Sequence, residues 1–148
     1  MELTIVIPVF NEEKNIGLIF EKISDALLEI DYEIIFVDDG STDNTKGEIL
    51  KIQKPNITLI EFGRNFGQTS ALAAGINIAI GKYIATIDGD LQNDPTDIPA
   101  MLDKIKKENL DLVTGIRRKR KDGLFLTTIP SKIGNWFIRK IGKVDIED

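Results

Sequence analysis

The stretch IDGDLQNDP, residues 87–95, places three carboxylates, a Gln and an Asn directly behind the apolar run YIAT. Asp88 and Asp90 stand two apart, so on extended backbone they project to one side and can share an ion, while Gly89 lets a ligand come close. Gln92 repeats the spacing and adds a neutral oxygen. Oxygen donors of this kind suit a hard divalent cation, Mg2+ or Mn2+, whose remaining positions are filled by water and substrate phosphate. Asp94 before Pro95 has a local explanation, a helix N-cap followed by Pro in the first turn. The chain holds no His and no Cys, which excludes disulfides, thiolate nucleophiles, Ser-His-Asp triads and the usual zinc sites. Acid-base or metal chemistry must then rest on carboxylates, amides, hydroxyls and backbone.

A second acidic cluster is VDDGSTDNT, residues 37–45. Asp43 or Ser41 can cap a helix and Gly40 can make the turn, so local structure accounts for much of it. Adjacent Asp38 and Asp39 at a buried strand end repel each other unless a donor or cation meets them, and a carboxylate there can also accept hydrogen bonds from a nucleobase or ribose.

These clusters need elements to hold them. LTIVIPV, YEIIFVD, ITLIEF, KYIATID and DLVTGIR are short β-branched runs, several nearly continuous in apolarity, as strands covered on both faces are. Helix-length amphipathic stretches begin near Lys14, Asp43, Gly67, Pro95 and Thr128. Five βα steps predict an α/β fold, a doubly wound and mostly parallel sheet with helices on both faces and right-handed crossovers. The 148 residues, 42% of them hydrophobic, suffice for one core and one domain. In such sheets ligands collect at the carboxyl ends of the strands where strand order reverses. PVFNEE, VDDGSTDNT, GRNFGQ, DGDLQNDP and RRKRK each follow a predicted strand, so five loops are expected to share one mouth.

Charge is unevenly spread. Residues 117–148 carry nine Lys and Arg against four Asp and Glu, or +5, whereas residues 1–116 carry 10 against 20, or -10. No apolar run approaches the roughly 18 residues of a membrane span, and MELTIVIPVF lacks the basic start of a signal peptide; a soluble, cytoplasmic segment is expected. In IPSKIGNWFIRKIGK, Ile133, Trp136, Phe137 and Ile141 fall at helical spacing on a basic segment. That stripe suits either an ordinary helix packed on the sheet or an interfacial helix on anionic lipid. RRKRK reads either as a solvated loop or as an electrostatic dock for phosphate.

Taken together, PVFNEEKNI, FVDDGSTDNT, GRNFGQTSALAAGI, IDGDLQNDP and GIRRKRKD closely resemble the family 2 inverting glycosyltransferases of GT-A fold. The DGDLQNDP form and the RNFGQ segment look most like the polyprenyl-phosphate sugar transferases, relatives of dolichol-phosphate mannosyltransferase. The resemblance implies that residues 1–148 are a nucleotide-sugar-binding domain lacking its C-terminal part, since members of the family continue further and many add membrane helices. It implies that Pro8, Phe10 and Glu12 line the nucleotide pocket, with Phe10 where Tyr is commoner. Asp38 and Asp39 would contact base and ribose, and Arg64 would face the donor. Asp88, Asp90 and Gln92 would hold metal and diphosphate. Arg117, Arg120, Ser131 and Lys132 would receive the acceptor phosphate, and Asp90 and Arg117 would carry catalysis. One departure stands out: a basic residue often precedes that Ser, and this chain has LTTIP there.

The expected reaction is transfer of a sugar from a UDP- or GDP-sugar, with inversion, to a polyprenyl or dolichyl phosphate at the cytoplasmic face of a membrane, with Mg2+ or Mn2+ as cofactor and no nucleic acid partner. An ionised phosphate acceptor needs no general base, whereas a sugar hydroxyl would. Transfer to a sugar hydroxyl in polysaccharide or cell-envelope synthesis, and a noncatalytic nucleotide-binding fragment, are the alternatives. A phosphatase of the haloacid dehalogenase type fits poorly, because its D-x-D motif precedes Thr or Val near the chain start and here Leu91 follows at the fourth strand. A receiver domain pairs its acids after the first strand, not the second.

Overall fold

The computed structural model describes residues 1–115. Four parallel strands, β1 (Leu3–Val9), β2 (Tyr32–Asp38), β3 (Ile57–Glu61) and β4 (Tyr83–Thr86), pair in the order β3-β2-β1-β4. They alternate with α1 (Ile16–Ala26), α2 (Thr45–Lys51), α3 (Gln68–Ile78) and α4 (Ile98–Glu108), the last entered through a single 3-10 turn, Pro95–Asp97.

The central strands are buried along their length because both faces are covered. Leu3, Ile5, Ile7 and Val9 of β1 pack with Ile34 and Phe36 of β2 against Ile16, Ile19 and Ile23 of α1, Ile49 of α2, and Ile98 and Leu102 of α4. The alternate residues Val6, Ile35 and Val37 face the other way and meet Ala71 of α3. Period-2 alternation along the strands thus feeds two cores, which is why β1 and β2 read as unbroken apolar runs. A Cβ added to Gly75 would lie 2.4 Å from Val6 Cγ1, so the small-residue face of α3 lets that helix lie directly on the sheet. Truncating a side chain as enclosed as Ile5 to Ala would cost about 3 kcal/mol through lost burial and the cavity left behind.

Four of the predicted strands are present, and the helix expected near Thr128 lies outside the described residues. The fifth strand is a correction. Over residues 111–115, DLVTG forms no strand, and β4 is the sheet edge among the described residues. α4 ends at Asn109, whose left-handed backbone (φ 49°) turns the chain away, and Leu112 is 75% exposed. A β-prone run becomes a strand only where a neighbour supplies ladder hydrogen bonds and a face to bury, and among the described residues none pairs with it; the last two residues of the predicted run, 116 and 117, lie outside the described residues. No described helix is long and apolar enough to cross a membrane.

Candidate functional site

β1 and β4 pair only from Leu3↔Tyr83 to Val6↔Thr86, whereas β1 and β2 stay paired to Val9↔Asp38. The last link on the β4 side is Ile87 N–H donating to the Val6 carbonyl at 3.2 Å; on the β2 side Asp39 N–H donates to Val9 O at 2.9 Å. Backbone groups alternate sides along a strand, so those of Pro8 face the β4 side, where the ladder has just ended. A proline in a central strand ordinarily forfeits a ladder bond; at Pro8 the missing N–H faces an opening instead. This opening lies where the chain, having run outward through β2 and β3, returns on the far side of β1 as β4. It is the reversal point at which open α/β sheets bind ligands.

The cleft there has a volume of about 360 Å3. Pro8, Val9, Phe10 and Glu12 line it from behind β1 and Asp39 from behind β2. Asn65, Gly67 and Gln68 come from behind β3, and Asp88, Gly89 and Asp90 from behind β4. Phe10 is 44% exposed, a flat apolar face left in water.

The loops after β1 and β2 are laced together. Asn11, in left-handed backbone (φ 56°), accepts from Thr42 N–H at 2.7 Å through Oδ1, while its own N–H donates to Ser41 Oγ at 2.9 Å. Glu12 N–H donates to Thr45 Oγ1 at 2.8 Å and Glu13 N–H to Asp43 Oδ2 at 3.2 Å. Asp43 Oδ1 accepts from both Thr45 N–H (3.0 Å) and Thr45 Oγ1 (2.5 Å). Desolvation pushes the Asp43 carboxyl up, but the Thr45 hydroxyl and the Thr45 and Glu13 amides together outweigh it and hold the pKa below the ordinary value. The N-cap of α2 is Asn44, whose side chain makes no capping bond, so the cap expected at Asp43 is displaced by one residue: Asp43 instead binds Thr45 from just before the cap and reaches across to a second loop. Asp94 caps as expected: its side chain accepts from Thr96 N–H at 3.1 Å, which holds its carboxyl low.

The adjacent acids behind β2 divide. Asp38 is 2% exposed and accepts from Ser41 N–H at 2.9 Å, beneath the cleft and not lining it. Asp39, 4% exposed, accepts from Phe66 N–H at 2.7 Å and Gly67 N–H at 2.9 Å. The donors that relieve their repulsion are thus backbone amides, and Asp39 fixes the loop after β3. Arg64 is exposed; its guanidinium stands 4.8 Å over the Phe66 ring, which packs edge-on against Phe62, and it does not line the cleft.

Behind β4 the chain turns sooner than expected. β4 ends at Thr86, residues 89–90 form a turn and Leu91 adopts left-handed backbone (φ 63°), so the extended-strand geometry that would put Asp88, Asp90 and Gln92 on one side does not occur. The turn still delivers both Asp88 and Asp90 to the cleft, but not Gln92, which is exposed and donates its N–H to Asp90 Oδ1 at 3.0 Å. The partly buried Leu91 side chain packs against the larger core and anchors this strained residue. Asp88 is gripped by two side-chain amides: Gln68 Nε2 donates to Oδ1 at 2.7 Å and Asn93 Nδ2 to Oδ2 at 3.2 Å.

A divalent cation fits this donor set in chemistry. Asp88 and Asp90 line the cleft from one loop, and no described Lys or Arg forms an ion pair with either. A Cβ on the buried Gly89 between them would come within 2.8 Å of Val9 Cγ1, so the backbone is seated against β1 there. No group of three or more His, Cys, Asp or Glu surrounds the spot among the described residues. The protein would supply few ligands and leave the rest to water and phosphate, as Mg2+ sites do.

Of the predicted site residues, the structure brings together Pro8, Phe10, Glu12, Asp39, Asp88 and Asp90. It leaves Asp38, Arg64 and Gln92 off the cleft wall, and Arg117, Arg120, Ser131 and Lys132 lie outside the described residues. Asn11, Asn65 and Gln68 carried no reading of their own in PVFNEE and GRNFGQ, and Asn93 only as one oxygen donor among several. For Asn11, Asn65 and Asn93 the signal was an amide side chain beside a charged neighbour; Gln68, the first residue of α3, had no such local signal.

The fold and cleft define a doubly wound α/β domain with carboxylates lining the opening at its reversal point. The family model for glycosyl transferase family 2 matches residues 4–146, and the chain belongs to that family. It is 46% identical to a dodecaprenyl-phosphate galacturonate synthase of Rhizobium johnstonii, over 100% of this chain and 45% of that protein. It is 40% identical to an undecaprenyl-phosphate 4-deoxy-4-formamido-L-arabinose transferase of Yersinia enterocolitica, over 96% and 45%. The chain therefore spans about half the length of these relatives. The fold resembles glucosyl-3-phosphoglycerate synthase of Mycobacterium tuberculosis in complex with UDP (TM-score 0.71, 22% identity, 96% of this chain and 50% of that one). The same synthase in complex with Mn2+, UDP and glucosyl-3-phosphoglycerate gives a TM-score of 0.59 at 22% identity, over 70% and 39%. The GT-A architecture expected from the motifs is thus present.

Proposed function

We propose that residues 1–148 form the nucleotide-sugar-binding part of a metal-dependent, inverting glycosyltransferase that moves a sugar from a UDP- or GDP-sugar to a polyprenyl phosphate. The observation that carries this reading is the cleft at the β1/β4 reversal point, where Asp88 and Asp90 from behind β4 line one opening with the exposed Phe10 from behind β1. Both relatives at 40% identity or more bear names of polyprenyl-phosphate sugar transferases, and a fold neighbour has been solved with UDP and Mn2+.

Each wall has a task in this reading. Phe10 offers a flat face for the base, Asp39 holds the loop that closes the far side, and the N-terminus of α3 sets the positive end of its dipole beside the diphosphate. Asp88 and Asp90 would hold Mg2+ or Mn2+, which when bound stabilises the negative charge growing on the departing nucleoside diphosphate. Attack by the acceptor from the opposite face of the sugar inverts the anomeric centre. An acceptor phosphate is already ionised, so no base need be found among these residues. Arg117, Arg120, Ser131 and Lys132 are the proposed grip on that phosphate, with RRKRK facing anionic lipid on the cytoplasmic side.

The deciding experiment is transfer of radiolabelled sugar by the full-length protein, comparing polyprenyl phosphate with hydroxyl acceptors. Label should pass to the phosphate and not to free sugar hydroxyls; the reverse preference overturns the acceptor. Thermal shift of this chain with a panel of nucleotides identifies the base, because a ligand of the folded state raises apparent stability.

A further inference from the structure

We propose that Gln68 and Asn93 are positioning residues that orient the Asp88 carboxylate toward a divalent cation. This rests on the reading of the cleft given above. The two amides come from different elements, Gln68 from the first turn of α3 and Asn93 from the turn behind β4, and they converge on one carboxylate from opposite oxygens, at 2.7 Å and 3.2 Å.

The choice of amides matters. A Lys or Arg in either place would orient Asp88 too, but would also neutralise it and repel a cation. An amide donor fixes the carboxylate plane and leaves the negative charge in place. Among the described residues each Asp88 oxygen accepts one hydrogen bond, which leaves a second lone pair for a metal or a metal-bound water. Asp90, exposed and held through one oxygen by Gln92 N–H, keeps its other oxygen for the same ion. Gln68 follows directly on Phe66 and Gly67, whose amides are bound to Asp39. The loop after β3 therefore ties the nucleotide wall to the metal wall through one side chain.

The test uses Mn2+ alone as the probe, with free ion followed by electron paramagnetic resonance, and UDP and GDP binding in chelator as the control. Gln68→Leu and Asn93→Leu keep bulk and remove the donor. Each should weaken Mn2+ binding about tenfold, as loss of a partner that orients a metal ligand does, while Asn93→Leu, at a residue outside the cleft lining, leaves nucleotide binding in chelator within about twofold. Gln68→Glu sets a like charge against Asp88. It should lower the melting temperature in chelator and recover when Mn2+ is added, which places the Asp88 carboxylate within reach of the ion; no recovery with Mn2+ would count against the assignment. Mn2+ binding unchanged in both Leu variants, or an equal loss of nucleotide binding in chelator by Asn93→Leu, overturns the assignment. Absence of Mn2+ binding by the parent chain overturns this inference together with the metal-dependent reading of the site; binding by the parent that the variants leave intact overturns this inference alone.

Discussion

Asp39 and Asp88 face each other across one cleft, each a strand-end carboxylate with both oxygens engaged, yet their partners differ in kind. Asp39 is nearly enclosed and bound by the Phe66 and Gly67 amides, which cannot leave without moving the chain. Asp88 is only half-buried and bound by the Gln68 and Asn93 side chains, which can rotate away at the cost of a rotamer. One carboxylate has been spent on architecture and the other is kept ready for a ligand. The same contrast separates the β1–β2 side, where Asn11 and Asp43 satisfy whole loops, from the turn behind β4, where Asp90 holds a single internal bond. Carboxylates that sequence alone treats as equals are sorted by whether backbone or side chain answers them.

The largest test of that contrast is Asp39→Ala. Two amides lose a charged acceptor, and unfolding by urea should show a loss of about 3 kcal/mol, with UDP and GDP binding falling as the loop after β3 loosens. An unchanged denaturation midpoint would erase the distinction between the two walls. Next comes Asp43→Asn, expected to cost about 2 kcal/mol near neutral pH because three bonds to an ionised group are weakened. The folded pKa of Asp43 lies below its ordinary 3.8, so the folded state binds fewer protons than the unfolded one. Its contribution is then full above that ordinary value and lost as pH falls through the folded pKa. The variant should flatten the acid limb of a stability-pH curve, and an acid limb identical to the parent's would contradict the assignment.

On the opposite wall the expected effects move from stability to binding. Asp90→Ala should leave unfolding within about 0.5 kcal/mol of the parent, yet remove the gain in nucleoside diphosphate affinity that Mg2+ or Mn2+ confers over chelator. A loss of tenfold there corresponds to about 1.4 kcal/mol in calorimetric titration, and metal-independent binding in the parent would reduce these acids to turn residues. The smallest expected change is Phe10→Leu, which keeps an apolar side chain but loses the ring face. Affinity for UDP or GDP should fall about threefold with no change in stability; equal affinity would remove base stacking from the account.

The chain's own order of residues determined a good deal. Alternating apolar runs and amphipathic stretches specify an α/β sheet because burial on two faces needs continuous strands, and four of those runs are strands as read. The clusters behind them determined where a site must lie, since loops at the carboxyl ends of parallel strands share one edge by topology. Asp94 with Pro95 was legible because capping is local chemistry between neighbours. Tertiary structure decided the rest. DLVTG has strand-like residues but, among the described residues, no ladder to join, and nothing in the run itself could reveal that. Asp38 and Asp39 differ by one residue and by which side of the chain meets the loop after β3. Gln92 was placed by a period of two that the turn at 89–90 interrupts, whereas Gln68 reaches Asp88 from 20 positions away. A sequence records which side chains can donate or accept; which of them meet depends on distances that exist only after the two cores have closed around β1.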